Sequence, residues 1–407
     1  MRFIDRRNNI YKEATDIVRD VNSMRHVHKY IRNKSPYDML LELLVAMVSN
    51  SEVYLLDSDF TDNELRSLGI GKEKCDELLD VTNKQDFCNT EEIADAVVSE
   101  KWKLWLYTSG TTGLPKKVCH NYSTLGRNVR YSDRHKDDIW AFAYKMSHMA
   151  GIQVLLQALT NDNSIIYVFE DKPQDVISII DEERCSNISA TPTFYRNMLP
   201  FLKDNLPYLK HITLGGERYD ENLCIRLQKF VPDAKIHNIY ASTETGSLLS
   251  SHGSTFTIPS KYKDRIKVSE NKELCIHKSL IGDFCCDGDW YNTHDLVEIS
   301  AGGVIKFLSR KSDLINVGGY KVNPLEVEAI IQQVPNVEDC LVKGEKNSVL
   351  GTLLTADIVM QVGAEKKMVK RAIMEKLKDM VQAFKIPRMY HFVDHIEKTR
   401  SGKKIRR

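Results

Sequence analysis

The chain has 407 residues, with 57 Lys plus Arg against 56 Asp plus Glu, for a formal net charge of +1. Apolar residues make up 42% and charged residues 28%, the balance of a globular protein with enough chain for more than one domain. Near-neutral charge argues against a dedicated nucleic-acid binder, and the longest apolar run, Leu43–Val48, is too short to span a bilayer. The opening MRFIDRRNN has neither an apolar core nor a small-residue cleavage site, so no signal peptide is expected. The cysteines form no CxxC, and only Cys285 and Cys286 lie close together. That pattern fits neither a zinc ribbon nor a disulfide framework, and reduced thiols in a cytoplasmic protein are expected.

In chain order, the first hundred residues read as mainly helical, led by Tyr37–Asn50, with VYLLDS after it as a short buried strand. KLWLY (103–107) is a strand entering a Gly/Thr-rich loop, and SIIYVF (164–169) is another strand. PQDVISIIDEERC (173–185) carries Pro at a first helical turn and an apolar stripe of helical period. NISAT, HITLG and KIHNIY follow as strands, separated by helices over Thr193–Leu206 and Asp220–Phe230. This alternation predicts an α/β domain with a largely parallel sheet. After about Asp264, short strands and turns such as DGDW and AGGV predict a β-rich layer. Beyond Arg310 come a helix in NPLEVEAIIQQV, strands at CLVKG and LLTADIVM, and an amphipathic helix over 365–382. The expected division is a large domain, 1–309, and a small α+β domain, 310–407, joined near 309–315.

The densest local chemistry is YTSGTTGLPKKV, Tyr107–Val118. Thr108, Ser109, Thr111 and Thr112 supply hydroxyls, Gly110 and Gly113 allow close backbone approach, and Lys116 supplies charge for a polyphosphate. It is no Walker A loop, because no Gly-Lys-Ser/Thr stands at the required spacing. A plain Ser/Thr/Gly surface turn explains the composition as well.

The stretch resembles the phosphate-binding signature of the adenylate-forming superfamily, which includes acyl- and aryl-CoA ligases, peptide-synthetase adenylation domains and luciferases. Four further stretches resemble that family's motifs, in its order: NIYASTETG (238–246), YNTHDLV (291–297), SRKSDLINVGGYKVNPLEVE (309–328) and EKTRSGKKIRR (397–407). The resemblance implies attack of a carboxylate on the α-phosphorus of ATP, giving an acyl-adenylate and pyrophosphate. It then implies transfer to coenzyme A or to the phosphopantetheine of an acyl carrier protein. A small domain that rotates between the two steps is part of the implied fold.

The resemblance also assigns residues. Glu244 would hold Mg²⁺, Thr243 would donate to the α-phosphate, and Tyr240 would offer a flat face to adenine, with Gly215, Gly216 and Glu217 laying backbone beside it. Asp295 would accept from the ribose hydroxyls with Arg310 assisting, and His148 and Ala241 would border the acyl pocket. Lys403 would bridge carboxylate and α-phosphate, with Lys404 the one-residue alternative. Gly318, Gly319 and Tyr320 would line the thiol tunnel, and Ser312 or Asp313 would be the hinge.

The sequence departs from the common pattern at His294 and Ser309, where Gly is usual, at Ala241, and at Ser312. The region before Tyr107 is short and holds no motif we recognise. Partners are expected to be a carboxylic acid and coenzyme A or a carrier protein, with no nucleic acid and no membrane span; a homodimer is left open. A non-catalytic nucleotide-binding relative is the rival outside enzymes. The basic tail, six Lys or Arg in 398–407, reads equally as a solvated arm.

Overall fold

The computed structural model describes residues 1–99, 101–108, 116–284, 288–300, 302–317, 320–347, 351–381, 383–398 and 404–406. The chain packs as two compact units, Met1–Arg265 with Ile276–Tyr291, and Ile266–Cys275 with Asn292–Arg407.

The larger unit is built on an eight-stranded sheet in the order Gly246–Ser251, Lys235–Ser242, His211–Gly215, Asn187–Ala190, Ile139–Phe142, Ser164–Tyr167, Phe3–Asp5 and Ile10–Lys12. The inner strands run parallel and both edge strands antiparallel. Alternation along each strand feeds two cores at once: Phe3, Phe142 and Ile165 enter one, Ile4, Ala141 and Ile166 the other. A second sheet orders Tyr30–Ile31, Glu52–Leu55, Lys103–Thr108 and Lys116–His120. Its buried face carries Ile31, Val53, Leu55, Leu104 and Leu106. On its other face Tyr30 stacks on Tyr54 at 4.8 Å and Tyr54 on Trp105 at 5.7 Å, and Lys117 closes the ladder 4.7 Å above Trp105.

The N-terminal hundred residues are more mixed than their composition suggests. Helices Ala14–Ser23, Pro36–Val48 and Thr90–Val97 are present, but strands Phe3–Asp5, Ile10–Lys12, His26–His28, Tyr30–Ile31 and Leu78–Asp80 lie among them. These strands are two or three residues long, too short to show alternation, and distant pairing creates them, as when His26–His28 meets Leu78–Asp80. The helix expected over Thr193–Leu206 also differs: Pro192–Met198 is α-helical, and the chain tightens to a 3₁₀ turn at Leu199–Phe201. Pro200 lacks the N–H that would extend it.

Every residue of Pro36–Val48 except Asp38 is buried. Its one buried charge, Glu42, is satisfied by the His28 amide at 2.9 Å, the His28 ring at 2.8 Å and the Asn33 amide at 2.7 Å.

The smaller unit holds the antiparallel strands Val337–Asn347 and Gly351–Met360, with Met389–Phe392 parallel to the latter. Helices Pro324–Ile331 and Lys366–Met380 supply Val327, Ile331, Ile373 and Leu377 to its core. The hairpin Ile315–Val317 and Tyr320–Val322 belongs to the same unit. The expected pivot, 309–315, covers the end of strand Val304–Arg310 and the 3₁₀ turn Lys311–Asp313.

Because Leu44 is fully buried in this apolar helix, Leu44→Ala should cost about 2–5 kcal/mol in the larger unit. Urea unfolding should show a lower midpoint at unchanged slope.

Candidate active site

In the larger unit, strand Lys235–Ser242 turns back antiparallel as Gly246–Ser251, with Ser242 opposite Gly246. Between them, three consecutive carbonyls are each held by a different segment. The Thr243 carbonyl accepts from the His120 Nε2–H at 2.6 Å, the Glu244 carbonyl from the Gly282 amide at 2.7 Å, and the Thr245 carbonyl from the Arg127 guanidinium at 3.3 Å. Thr245 is fully buried, and its amide donates to the Ser242 carbonyl at 3.2 Å. Glu244 is half-buried, and its carboxylate has no side-chain hydrogen bond or ion pair among the described residues. A turn so fixed presents Thr243 and Glu244 in a set arrangement.

His120 is the pivot of this arrangement, and its imidazole is 2% exposed. The carbonyl it meets can only accept, which assigns the proton to Nε2 and leaves Nδ1 facing the Thr124 hydroxyl at 3.0 Å. Burial pushes its pKa down to about 4, against the pull of the Thr243 carbonyl. Gly282 is required sterically: a Cβ there would lie 2.6 Å from the Val118 side chain and 2.7 Å from the Cys119 carbonyl. That close approach is locked by the paired bonds between Cys119 and Asp283, both 2.8 Å. Strand Lys116–His120 therefore emerges from the Gly/Thr-rich loop directly into the support of the second motif. Sequence reasoning missed His120, Gly282 and Arg127.

Gly215 ends its strand, Gly216 takes φ +79°, and the Glu217 carboxylate accepts from Thr193 at 2.9 Å with Arg196 at 3.7 Å. Glu217 thus braces the turn and leaves the 215–217 backbone as the feature on offer. Tyr240 and Ala241 flank a β-bulge, and Ala241 packs against the core. His148, the N-cap of helix Met149–Thr160, makes no capping bond; its Nε2 faces Asp57 at 3.3 Å. Asp57 also holds Lys145 at 2.6 Å, and Lys145 pairs in addition with Asp59. Burial would raise the Asp57 carboxyl, but the bonds from His148 and Lys145 prevail and hold it well below the usual carboxylate range. Nothing in the sequence pointed to Asp57.

In the smaller unit, Asp295 and Arg310 are cross-strand partners, and the Arg310 Nε donates to Asp295 at 3.0 Å. His294 adopts φ +61°, a conformation suited to the glycine usual there, and its Nδ1 lies 3.3 Å from Glu273. Glu273 is 1% exposed and also binds Lys311. At the chain end, the Lys404 ammonium is taken by Asp339 and by the Cys340 carbonyl at 2.7 Å. Arg406 forks onto Glu328 and donates to the Val342 carbonyl at 2.8 Å.

Ser109, Gly110, Thr111, Thr112, Gly113, Gly318, Gly319 and Lys403 lie outside the described residues. Thr108 and Lys116 pair across a hairpin, Tyr320 opens a strand, and Ser312 sits in the 3₁₀ turn with Asp313; the side chains of Thr108, Lys116, Ser312 and Tyr320 are likewise outside the description.

Known proteins share this architecture. A sequence model of the AMP-binding enzymes matches residues 13–270, and one of the AMP-binding enzyme C-terminal domain matches 326–403. The first match begins well ahead of Tyr107, so the N-terminal hundred residues carry family signal that no motif displays. The 2-succinylbenzoate–CoA ligase of Staphylococcus aureus is 25% identical over 389 residues, 88% of this chain and 76% of its own length. Among solved structures, ATP-bound MatB from Rhodopseudomonas palustris superposes with a TM-score of 0.74 at 18% identity, covering 98% of this chain and 92% of that one. The o-succinylbenzoate CoA synthetase of Bacillus subtilis, solved with its acyl-adenylate, gives a TM-score of 0.65 at 17% identity, covering 97% of each chain. The fold is that α/β architecture, a large N-terminal sheet domain with a small C-terminal domain.

The neutral His120 has a pH signature. The folded chain keeps it unprotonated down to about 4, whereas the unfolded chain protonates it near 6.5. The unfolded state therefore binds more protons in that window, and stability falls as pH drops from about 6.5 to about 4, by up to about 3 kcal/mol. His237, also pushed down to about 4 by burial, adds to the wild-type slope. The difference between wild type and His120→Asn in urea unfolding across this range should isolate the His120 share.

Proposed function

The chain belongs to the AMP-binding enzyme family, and on that premise we propose that it activates a carboxylic acid with ATP and transfers the acyl group to the thiol of coenzyme A. The observation that carries this reading is the turn at 242–245, whose pinned carbonyls present a hydroxyl and an uncommitted carboxylate side by side.

In the first step a carboxylate oxygen bonds to the α-phosphorus of ATP, the bond from that phosphorus to the bridging oxygen breaks, and pyrophosphate leaves. Charge develops on the phosphoryl oxygens, so fixed donors and cations do most of the work. Thr243 donates a hydrogen bond to the α-phosphate. Glu244 suits a magnesium ion, which prefers one or two carboxylates plus phosphate oxygens and, when bound, offsets phosphate charge. Glu244, half-buried at the turn, is the carboxylate the protein offers to it. Asp295, oriented by Arg310, accepts from the ribose hydroxyls, and the 215–217 backbone lies along adenine beside Tyr240. The hydroxyls of the loop after Thr108, with Lys116, receive the outgoing pyrophosphate; Lys117 is spent on Trp105.

Lys403 supplies the ammonium between carboxylate and α-phosphate. Lys404 is set aside because Asp339 and the Cys340 carbonyl already engage it. In the second step the thiol sulfur bonds to the acyl carbon and AMP departs, with 318–320 beside the thiol and 312–313 as the pivot. His148, held by Asp57, borders the acyl group together with Ala241.

The test is acid-dependent exchange of pyrophosphate into ATP over a panel that begins with 2-succinylbenzoate and anthranilate and extends to short, long-chain and amino acids. Wild type should exchange with one class, and Lys403→Ala should lose at least ~10²–10³-fold. Glu244→Gln should lose exchange and weaken its magnesium dependence. Coenzyme A and a holo-carrier protein, compared as acceptors, decide the thiol. Nucleotide binding without exchange for any acid would overturn the reading in favour of a non-catalytic relative.

A further inference from the structure

Two cations at the end of the chain and two carboxylates well before it form a device that the two-step reaction does not itself require. Lys404 and Arg406 are two apart, so in an extended segment both project to one side. Their side chains are only 12% and 18% exposed. They meet partners with the same two-residue spacing: Lys404 binds the Cys340 carbonyl and Arg406 the Val342 carbonyl, on alternate residues of strand Val337–Asn347. Each cation also has its own carboxylate, Asp339 for Lys404 and Glu328 for Arg406. Glu328 is 5% exposed and accepts from the Val342 amide at 2.7 Å, so the backbone holds it as well as the arginine.

Backbone contacts reinforce the register. Lys404 bridges to Lys398, and the Ile405 amide donates to the Glu397 carbonyl at 3.0 Å. Residues 397–398 and 404–405 are therefore held to one another. A slip of one residue would bring Ile405 to buried Glu328 and leave that carboxylate without its partner. An unpaired buried charge is among the costliest local defects, and such pairs are best attested as register devices.

We propose that Lys404 and Arg406, through Asp339 and Glu328, are positioning residues whose paired clamp fixes the register of the C-terminal segment and thereby holds Lys403 in place for adenylation. This rests on the assignment of Lys403 made above. The clamp serves the first half-reaction only, because the thiol step does not use that lysine.

The test uses the full chain and separates the half-reactions. Lys404→Met keeps the apolar stem and removes the charge. The double variant Arg406→Met with Glu328→Gln removes the second pair without stranding a carboxylate. Exchange of pyrophosphate into ATP, with the acid that wild type accepts, should fall about 10- to 100-fold, the cost of a misplaced catalytic group. Thioester formation from the chemically prepared adenylate of that acid should stay within about twofold. Arg406→Lys should recover part of the loss. Amide hydrogen exchange over 397–406 should accelerate in both variants while the remaining chain keeps its protection.

Equal losses in both half-reactions would indicate general damage to the smaller unit and overturn the proposal. So would faster hydrogen exchange with unchanged adenylation, or unchanged protection in every variant. If wild type exchanges normally and Lys403→Ala does too, the assignment of Lys403 fails, and the positioning role with it. Wild type inactive with every acid, yet with protection lost in Lys404→Met, would overturn the function while leaving the clamp as a structural fact without a catalytic purpose.

Discussion

Three adjacent carbonyls held by three separate donors are the constraint on which the larger unit's chemistry depends. A turn between antiparallel strands leaves its polar backbone groups to find partners, and buried ones must find them. Here the carbonyls of Thr243, Glu244 and Thr245 find an imidazole, a backbone amide and a guanidinium. The donors have little freedom. His120 and Arg127 flank the short helix Tyr122–Leu125, and Gly282 sits where any side chain would strike Val118 and the Cys119 carbonyl. Conformational entropy lost on folding is lost once, so a ligand meeting Thr243 and Glu244 need not order the turn that bears them.

Charge in this chain is read best by subtraction. The motifs are crowded with lysines and arginines, and sequence alone treats them as equivalent. The structure commits most of those it describes: Lys117 to the Trp105 face, Lys145 to Asp57 and Asp59, Arg196 to Glu217 and Asp220, Lys311 to Glu273, Lys404 to Asp339 and Arg406 to Glu328. A cation already neutralised in a partly buried pair pays heavily to leave it, so it makes a poor ligand for a phosphate. Among the lysines of the terminal motif, it is Lys404 that this subtraction sets aside, and the function proposed above rests on that.

Ser164–Tyr167, Asn187–Ala190, His211–Gly215 and Lys235–Ser242 were legible as short β-prone runs set between helix and turn signals, whereas Ile139–Phe142, in the middle of the same sheet, was not. The helices at Pro173 and Pro324 were legible because proline opens a first turn. The short N-terminal strands were not, since two or three residues carry no period and their partners lie far along the chain. The same distance hid the site's supports. His120 and Thr243 are 123 residues apart, and His148 and Asp57 are 91 apart. Motifs name the groups that face a substrate; the groups that hold them are dispersed, and only folding brings them together. His148 shows both sides, since its position was readable and its anchoring carboxylate was not.

His294 turns a departure from pattern into a physical account. Its left-handed backbone costs a residue with a Cβ about 1 kcal/mol, which glycine would avoid. The imidazole brings something glycine cannot, a contact with Glu273, and Glu273 binds Lys311 at the same time. His294 precedes Asp295 and Lys311 follows Arg310, so one buried carboxylate ties together the residues flanking both members of the Asp295–Arg310 pair. Burial would raise Glu273, but the bonds from Lys311 and His294 prevail and keep it ionised below the ordinary glutamate range. The strain at His294 is thus offset within the same few side chains. Where the family resemblance implies a glycine, this chain holds its Asp295 turn by a brace built on Glu273.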